Sequence, residues 1–195
     1  NFMFRITQTL LSHGYLARDE ADLAFRLTPK LRKLSPPRWR GIGLAEASRE
    51  GMNWLRDKTG ETMQLGVLNE QEGIIIDQAE GTQPLRIIVN LSLRFALHNN
   101  APGKLLLALL AAEQQSLTLS EPKLTATTPR TITTKSGLRR ECEQIIAAGY
   151  STDHAEADDG VHCFAAPIFD TDETVAGAIW ISGLAKRLPK SRFRY

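Results

Sequence analysis

A thiol, two imidazoles and several carboxylates crowd into residues 153–163 of this chain: Asp153, His154, Glu156, Asp158, Asp159, His162 and Cys163. Cysteine chemistry would need a base beside Cys163. His162 precedes it directly, and in a strand adjacent side chains point to opposite faces, so His162 is misplaced for that work. His98 or His154 could approach the thiol in space, but nothing in their spacing says so. Asp153, His154, Asp158 and His162 match no standard zinc spacing. No catalytic residue, metal or cofactor is assigned. What remains is hydrogen bonding. An ionised Asp153 accepts, and a thiol or hydroxyl donates weakly, which suits capture of a small polar molecule. Without that role Cys163 reads as a small core hydrophobe and Asp153 as a solvated turn residue.

The elements around this stretch are legible from their periods. Val161, Cys163, Ala165 and Pro167 alternate with His162, Phe164, Ala166 and Ile168, a period of two with apolar residues on both faces, which predicts a buried strand. Residues 150–153 predict a strand before it, and 175–182 one after it across a turn at 170–174. On that last strand Val175, Gly177, Ile179 and Ile181 are expected on one face, with Ala176, Ala178, Trp180 and Ser182 on the other. Thr62 to Leu68, Ile74 to Ile76 and Leu85 to Val89 read as three further strands. Helical spacing covers 2–13, 44–58 and 135–148, the last with Leu138, Cys142, Ile145 and Ile146 inward. Asn99 or Asn100 caps another helix with Pro102 in its first turn. Pro36-Pro37 breaks any helix across 30–43. Alternating strands and helices give an α/β (α+β) domain.

Length and charge narrow the class. With 195 residues, 42% hydrophobic and 24% charged, the chain suits one medium domain, or one domain plus a fragment. No apolar run approaches a membrane span, so no membrane partner is expected. Two cysteines and no signal-peptide pattern fit reduced thiols and a cytoplasmic setting. Net charge is +2, but Arg5, Arg18, Arg26, Lys30, Arg32, Lys33, Arg38 and Arg40 crowd the first forty residues, which fits a polyanion partner at that end.

Gly149-Tyr150, Asp153, Glu156, Gly160-Val161, Cys163 and Ala165-Ala166-Pro167-Ile168-Phe169-Asp170 stand in the order and spacing of one family pattern. Thr59-Gly60-Glu61-Thr62, Gly103-Lys104 and Ile181-Ser182-Gly183 follow it too. By these residues the chain resembles the IclR family of bacterial transcriptional regulators over nearly its whole length. The resemblance implies a GAF-like effector-binding domain, an antiparallel sheet flanked by helices, over 44–184. It implies a partial winged helix-turn-helix over 1–34, a linker at 35–43 and a basic tail at 185–195. Leu10-Leu11-Ser12-His13-Gly14-Tyr15-Leu16 fits the end of a recognition helix running into its wing.

The resemblance also implies the function: a DNA-binding regulator, not an enzyme, that senses a small carboxylic acid and assembles as a homodimer or homotetramer. The alternative is a regulator remnant that acts only as a ligand-binding or oligomerisation module. Effector contacts carried over by position are Ala101 and Pro102 at a helix start, Asp153, Cys163 and Ser182. Ile87, Phe95 and Val161 form the apolar wall, and Trp180 stands where the family has a serine. A carboxylate would dock on the helix-start N–H groups, though Pro102 has none to give. A keto, hydroxy or aromatic acid suits this set. The DNA-facing positions are Asn1, Phe2, Phe4 and Arg5. Aromatic rings there make no base-edge hydrogen bonds, and the chain starts inside the recognition helix, so DNA binding is expected to be weak. Lys104 is expected at a surface or interface, His98 in a structural role, and Lys186, Arg187, Lys190, Arg192 and Arg194 in a solvated tail that replaces the family's closing helix.

Overall fold

The computed structural model describes residues 2–19, 23–28, 30, 38–39, 42–120, 124–189 and 191. The chain divides into two compact units, 1–37 and 38–195. The first holds helix α1 (Phe2–Ser12) and an antiparallel pair, β1 (Leu16–Arg18) and β2 (Phe25–Leu27), in register Leu16 to Leu27 and Arg18 to Phe25. α1 ends where Gly14 takes a φ of +70° and the N–H of Tyr15 returns to the Leu10 carbonyl at 2.9 Å. The acidic turn expected between the strands lies largely outside the described residues, as does Asn1. α1 buries none of its residues; Phe2 and Phe4 are 74% and 64% exposed.

The second unit opens with a two-residue pairing of β3 (Arg38–Trp39) with β4 (Ile42–Gly43), consistent with a non-helical link after Pro36-Pro37. Helix α2 (Leu44–Thr59) follows. Then come β5 (Thr62–Asn69), β6 (Glu72–Ala79), β7 (Arg94–Phe95), α3 (Ala101–Ala108), α4 (Ala112–Ser120), α5 (Lys135–Ala148), β8 (Ser151–His154), β9 (Val161–Phe169) and β10 (Val175–Leu184). The six longer-range strands form one antiparallel sheet in the order β7-β6-β5-β10-β9-β8. Each face carries its own core. Leu44, Met52, Met63, Leu65 and Val67 fill the face under α2, and α3 and α5 pack with Ile75, Cys163, Ala165, Ala178 and Trp180 on the other. Each fully buried Leu or Met in these layers contributes about 1.5–3 kcal/mol. Among the described residues no helix is long and apolar enough to cross a membrane.

Several sequence expectations need correction. Leu85 to Val89 is no strand. Leu85 and Ile88 face outward, 65% and 49% exposed, while Ile87 is half-buried and Val89 packs against the core of the α3 face. The Val89 N–H and carbonyl are instead held by the side-chain amide of Gln78, at 3.1 and 3.4 Å. The third strand of this region is β7, which reaches β6 at Gly73 and Ile74. Helix α4 was not foreseen, and Ile146 of α5 is 58% exposed. The alternation along β10 holds from Gly177 onward. A register shift between Val175 and Gly177 turns Val175 to the α3 face and Ala176 to the α2 face. After β10 the chain is not simply solvated: Leu188 is buried and Arg187 pairs with buried Glu61, Nη2 to Oε2 at 2.8 Å. Lys190, Arg192 and Arg194 lie outside the described residues.

The first turn of α3 is fixed by close backbone approach. A Cβ at Gly103 would stand 2.3 Å from the Ala96 carbonyl oxygen and 2.9 Å from the Leu97 Cα. Backbone cannot give way as a side-chain end can, so Gly103→Ala is expected to lower stability by about 3 kcal/mol. A drop in the urea midpoint at unchanged m would show it, and an unchanged midpoint would mean that the segment before α3 shifts freely.

Candidate functional site

Sheet register brings the chemistry-bearing residues together. Asp153 pairs with Cys163 across β8 and β9, Cys163 with Ser182 across β9 and β10, and Ser182 with Thr62 of β5. Two residues along each strand, hence on the same face, Ala165, Trp180, Gln64 and Gln78 form the next row. This face lies under α3, and most of its side chains are shut from solvent. Asp153 is 1% exposed, Gln64 2%, Ser182 3%, Trp180 4% and Cys163 7%. Asp153 is therefore no solvated turn residue.

The polar groups of the two rows form a directed chain. Ser182 has one hydroxyl proton and donates it to Gln64 Oε1 at 2.7 Å. The Cys163 thiol, 3.3 Å from Ser182 Oγ, is then the donor in that contact. Gln64 Nε2 donates to Gln78 Oε1 at 3.2 Å, and Gln78 holds Val89. Gln64 and Gln78 were missed by sequence reasoning. The available signal was a glutamine within each of two strands rich in apolar residues, where a buried amide needs partners.

Asp153 Oδ1 accepts the Glu156 N–H at 2.6 Å. Burial pushes its carboxyl up to about 7, against the lowering effect of that bond; the Glu156 charge raises it further and Lys104 lowers it. Burial pushes the Cys163 thiol up to about 12, with the Asp153 charge adding to the rise, so the thiol carries its proton at neutral pH.

Lys104 is no surface residue. It is fully buried, and its Nζ donates to Glu141 Oε1 of α5 at 2.8 Å and to both oxygens of Glu156 at 2.7 Å. The Glu156 carbonyl in turn accepts from the hydroxyls of Thr127 and Thr131 at 2.9 and 2.7 Å. The threonine-rich loop is thereby tied to the acidic turn that follows Asp153. His98 meets the Thr125 carbonyl through Nε2 at 2.9 Å.

Other expected contacts fall as follows. Ala101 and Pro102 are the first residues of α3, both buried. Asn100 is the cap, and its Oδ1 takes the Gly103 N–H at 2.8 Å. Phe95 and Val161 pack on the α3 face beside Trp180, with the Phe95 and Trp180 rings edge to face at 5.6 Å. Gly66 makes room for the indole, since a Cβ there would lie 2.9 Å from Trp180 Cη2. Ile87 is half-buried in the irregular segment after β6. His162 turns its Nδ1 to the Leu188 carbonyl at 2.7 Å. Among the described residues no three His, Cys, Asp or Glu groups converge as metal ligands. A separate cavity of about 660 Å³ lies at the β5–β6 turn, lined in part by Glu70, Arg94, Leu97, His98 and Leu138.

Comparison with known proteins agrees with this architecture. Residues 39–195 match the family model described as bacterial transcriptional regulator IclR C-terminal. The HTH-type transcriptional regulator BhcR of Paracoccus denitrificans is 33% identical over 188 residues, 96% of this chain and 67% of that protein. KdgR of Dickeya chrysanthemi is 31% identical over 191 residues, of which the alignment takes 98% of this chain and 61% of the relative. Among solved structures, Thermotoga maritima IclR superposes with a TM-score of 0.71 at 28% identity, covering 94% of this chain and 74% of that one. The C-terminal domain of Escherichia coli KdgR gives 0.68 at 28% identity, over 76% of this chain and 86% of that one. With over half its length matched by the family model, and with relatives above 30% identity along almost all of it, the chain belongs to the IclR family of bacterial transcriptional regulators.

Proposed function

We propose that this protein is a transcriptional regulator that binds a small carboxylic acid on the α3 face of its sheet and couples that event to DNA contact through its N-terminal unit. The observation that carries the reading is the buried polar chain from Cys163 through Ser182 and Gln64 to Gln78. Buried polar groups are costly unless partnered, and a directed row with Asp153 at one end is better suited to a polar guest than to packing. Phe95, Val161 and Trp180 supply the apolar wall. Arg5, exposed on α1, is the phosphate contact, and the regulator works in the cytoplasm as a homodimer or homotetramer. One domain of the same fold, a double mutant of the inducer-binding domain of PobR from Acinetobacter at 22% identity and TM-score 0.70, is known as a complex with 3-hydroxybenzoic acid. That acid is a convenient aromatic probe here.

Calorimetry of the protein against a panel of small keto, hydroxy and aromatic acids tests the reading. At least one should bind, and Ser182→Ala should weaken it about tenfold, the worth of one hydrogen bond in a buried site. Failure of every acid to bind, or an affinity untouched in Ser182→Ala, would remove the α3 face as the effector site.

A further inference from the structure

Ser151 lies beside the polar chain but outside it. It opens β8, two residues before Asp153 and hence on the same face of the sheet. Across the ladder it pairs with Ala165, which puts it in the row of Trp180 and Gln64. The residue is 1% exposed, and among the described residues its hydroxyl has no hydrogen-bond partner.

The surroundings of Ser151 are apolar or already engaged. Ala165 offers it only a methyl group. Helix α3, which packs over β8, presents alanines and leucines, and its one polar side chain, Lys104, gives its ammonium to Glu141 and Glu156. Asp153 turns Oδ1 to the Glu156 N–H. An unpaired buried hydroxyl destabilises a fold, and an alanine here, like Ala165 opposite, would fill the place without that penalty. The hydroxyl both donates and accepts, so a hydroxyl or oxo oxygen of a guest would satisfy it. A carboxylate suits it less. Asp153 is its neighbour on the strand face, and Glu156, Asp158 and Asp159 follow in the turn after β8; like charges repel strongly where water is excluded.

We propose that Ser151 is a specificity-determining residue of the effector site, whose hydroxyl bonds a neutral oxygen of the effector, hydroxyl or oxo, away from its carboxylate. This rests on the effector-site reading above. Two residues along β8 amount to about 6.5–7 Å, so that oxygen lies about as far from the part of the ligand beside Asp153. The site then prefers a hydroxy acid to an acid of the same shape with a methyl group in place of the hydroxyl. Because the same hydroxyl weakens the fold that encloses it, stability and selectivity pull in opposite directions at this position.

Two measurements on Ser151→Ala test it. In urea unfolding without added acid, the variant should have the higher midpoint, with an unfolding constant lower by about fivefold. A midpoint that falls or stays would show that the hydroxyl is already satisfied within the fold, and would overturn the proposal before any acid is added. Calorimetry then compares 3-hydroxybenzoate with 3-methylbenzoate, and 5-hydroxypentanoate with hexanoate, pairs matched in shape that differ by one hydroxyl. The parent should bind the hydroxylated member of at least one pair about tenfold more tightly, and Ser151→Ala should bind both members of that pair alike. A preference that survives in Ser151→Ala, or a parent that binds these acids without preference, overturns the role of Ser151 and leaves the effector site standing. If none of the four acids binds the parent, the effector-site reading falls and this proposal falls with it.

Discussion

Lys104→Met is expected to destabilise the second unit by about 3–5 kcal/mol, the cost of removing one partner from a buried ion pair. The ammonium has no solvent to fall back on: the side chain is fully buried, within 2.8 Å of Glu141 and 2.7 Å of both Glu156 oxygens. Methionine fills the stem's volume but leaves two carboxylates facing a space with no cation. Glu156 is 8% exposed and cannot turn to water without moving the acidic turn. That turn carries the Glu156 N–H on Asp153 and the carbonyl that gathers Thr127 and Thr131, so the damage should reach the candidate site. The triple variant Lys104→Met, Glu141→Gln, Glu156→Gln should recover much of the loss, because neutral amides do not need a counter-ion. Urea unfolding of the three proteins measures this. A midpoint shift worth under about 1 kcal/mol in the single variant would mean that water reaches the triad, since exposed pairs contribute no more than that.

Lys104 also marks what sequence could not supply. Its partners lie 37 and 52 residues away, on a helix face and in a turn, and local spacing next to Gly103 says nothing of either. The strands β8, β9 and β10 were legible because their period of two is local, and because the resemblance anchored Asp153, Cys163 and Ser182 to it. From that alternation the register of β10, and with it the facing of Trp180 and Ser182, followed. It failed at Val175 and Ala176, where a register shift reverses the faces and leaves no mark in residue type. Leu85 to Val89 has strand composition, yet Gln78 holds Val89 through a side-chain amide where a ladder would be. Propensity describes what a segment can do on a pleated surface, and it cannot report that another residue has taken the pairing. The Gln64–Gln78 contact is legible only once the two strands are paired.

Trp180→Ser is expected to cost about 3–5 kcal/mol in stability and at the same time to widen what the domain can hold. The indole is 4% exposed, meets Phe95 edge to face at 5.6 Å, and lies over Gly66, so its removal opens volume that neighbouring backbone cannot close. The new hydroxyl falls in register with Gln64, two residues from Ser182, and so adds a donor and acceptor to the existing row. Acids too bulky for the parent should then bind the variant, while small acids lose the contact with the ring and bind more weakly. Trp180→Phe separates the two effects: it keeps most of the packing, restores much of the stability, and adds no hydroxyl. Calorimetry of the three proteins with acids of increasing size, and tryptophan emission followed in the parent during titration, provide the readout. The parent's emission should change on binding, although two other tryptophans contribute to it; the part lost in Trp180→Phe isolates the signal. Identical acid selectivity in all three proteins, with no emission change from Trp180, would place the indole in the core alone and leave the effector to be held without it.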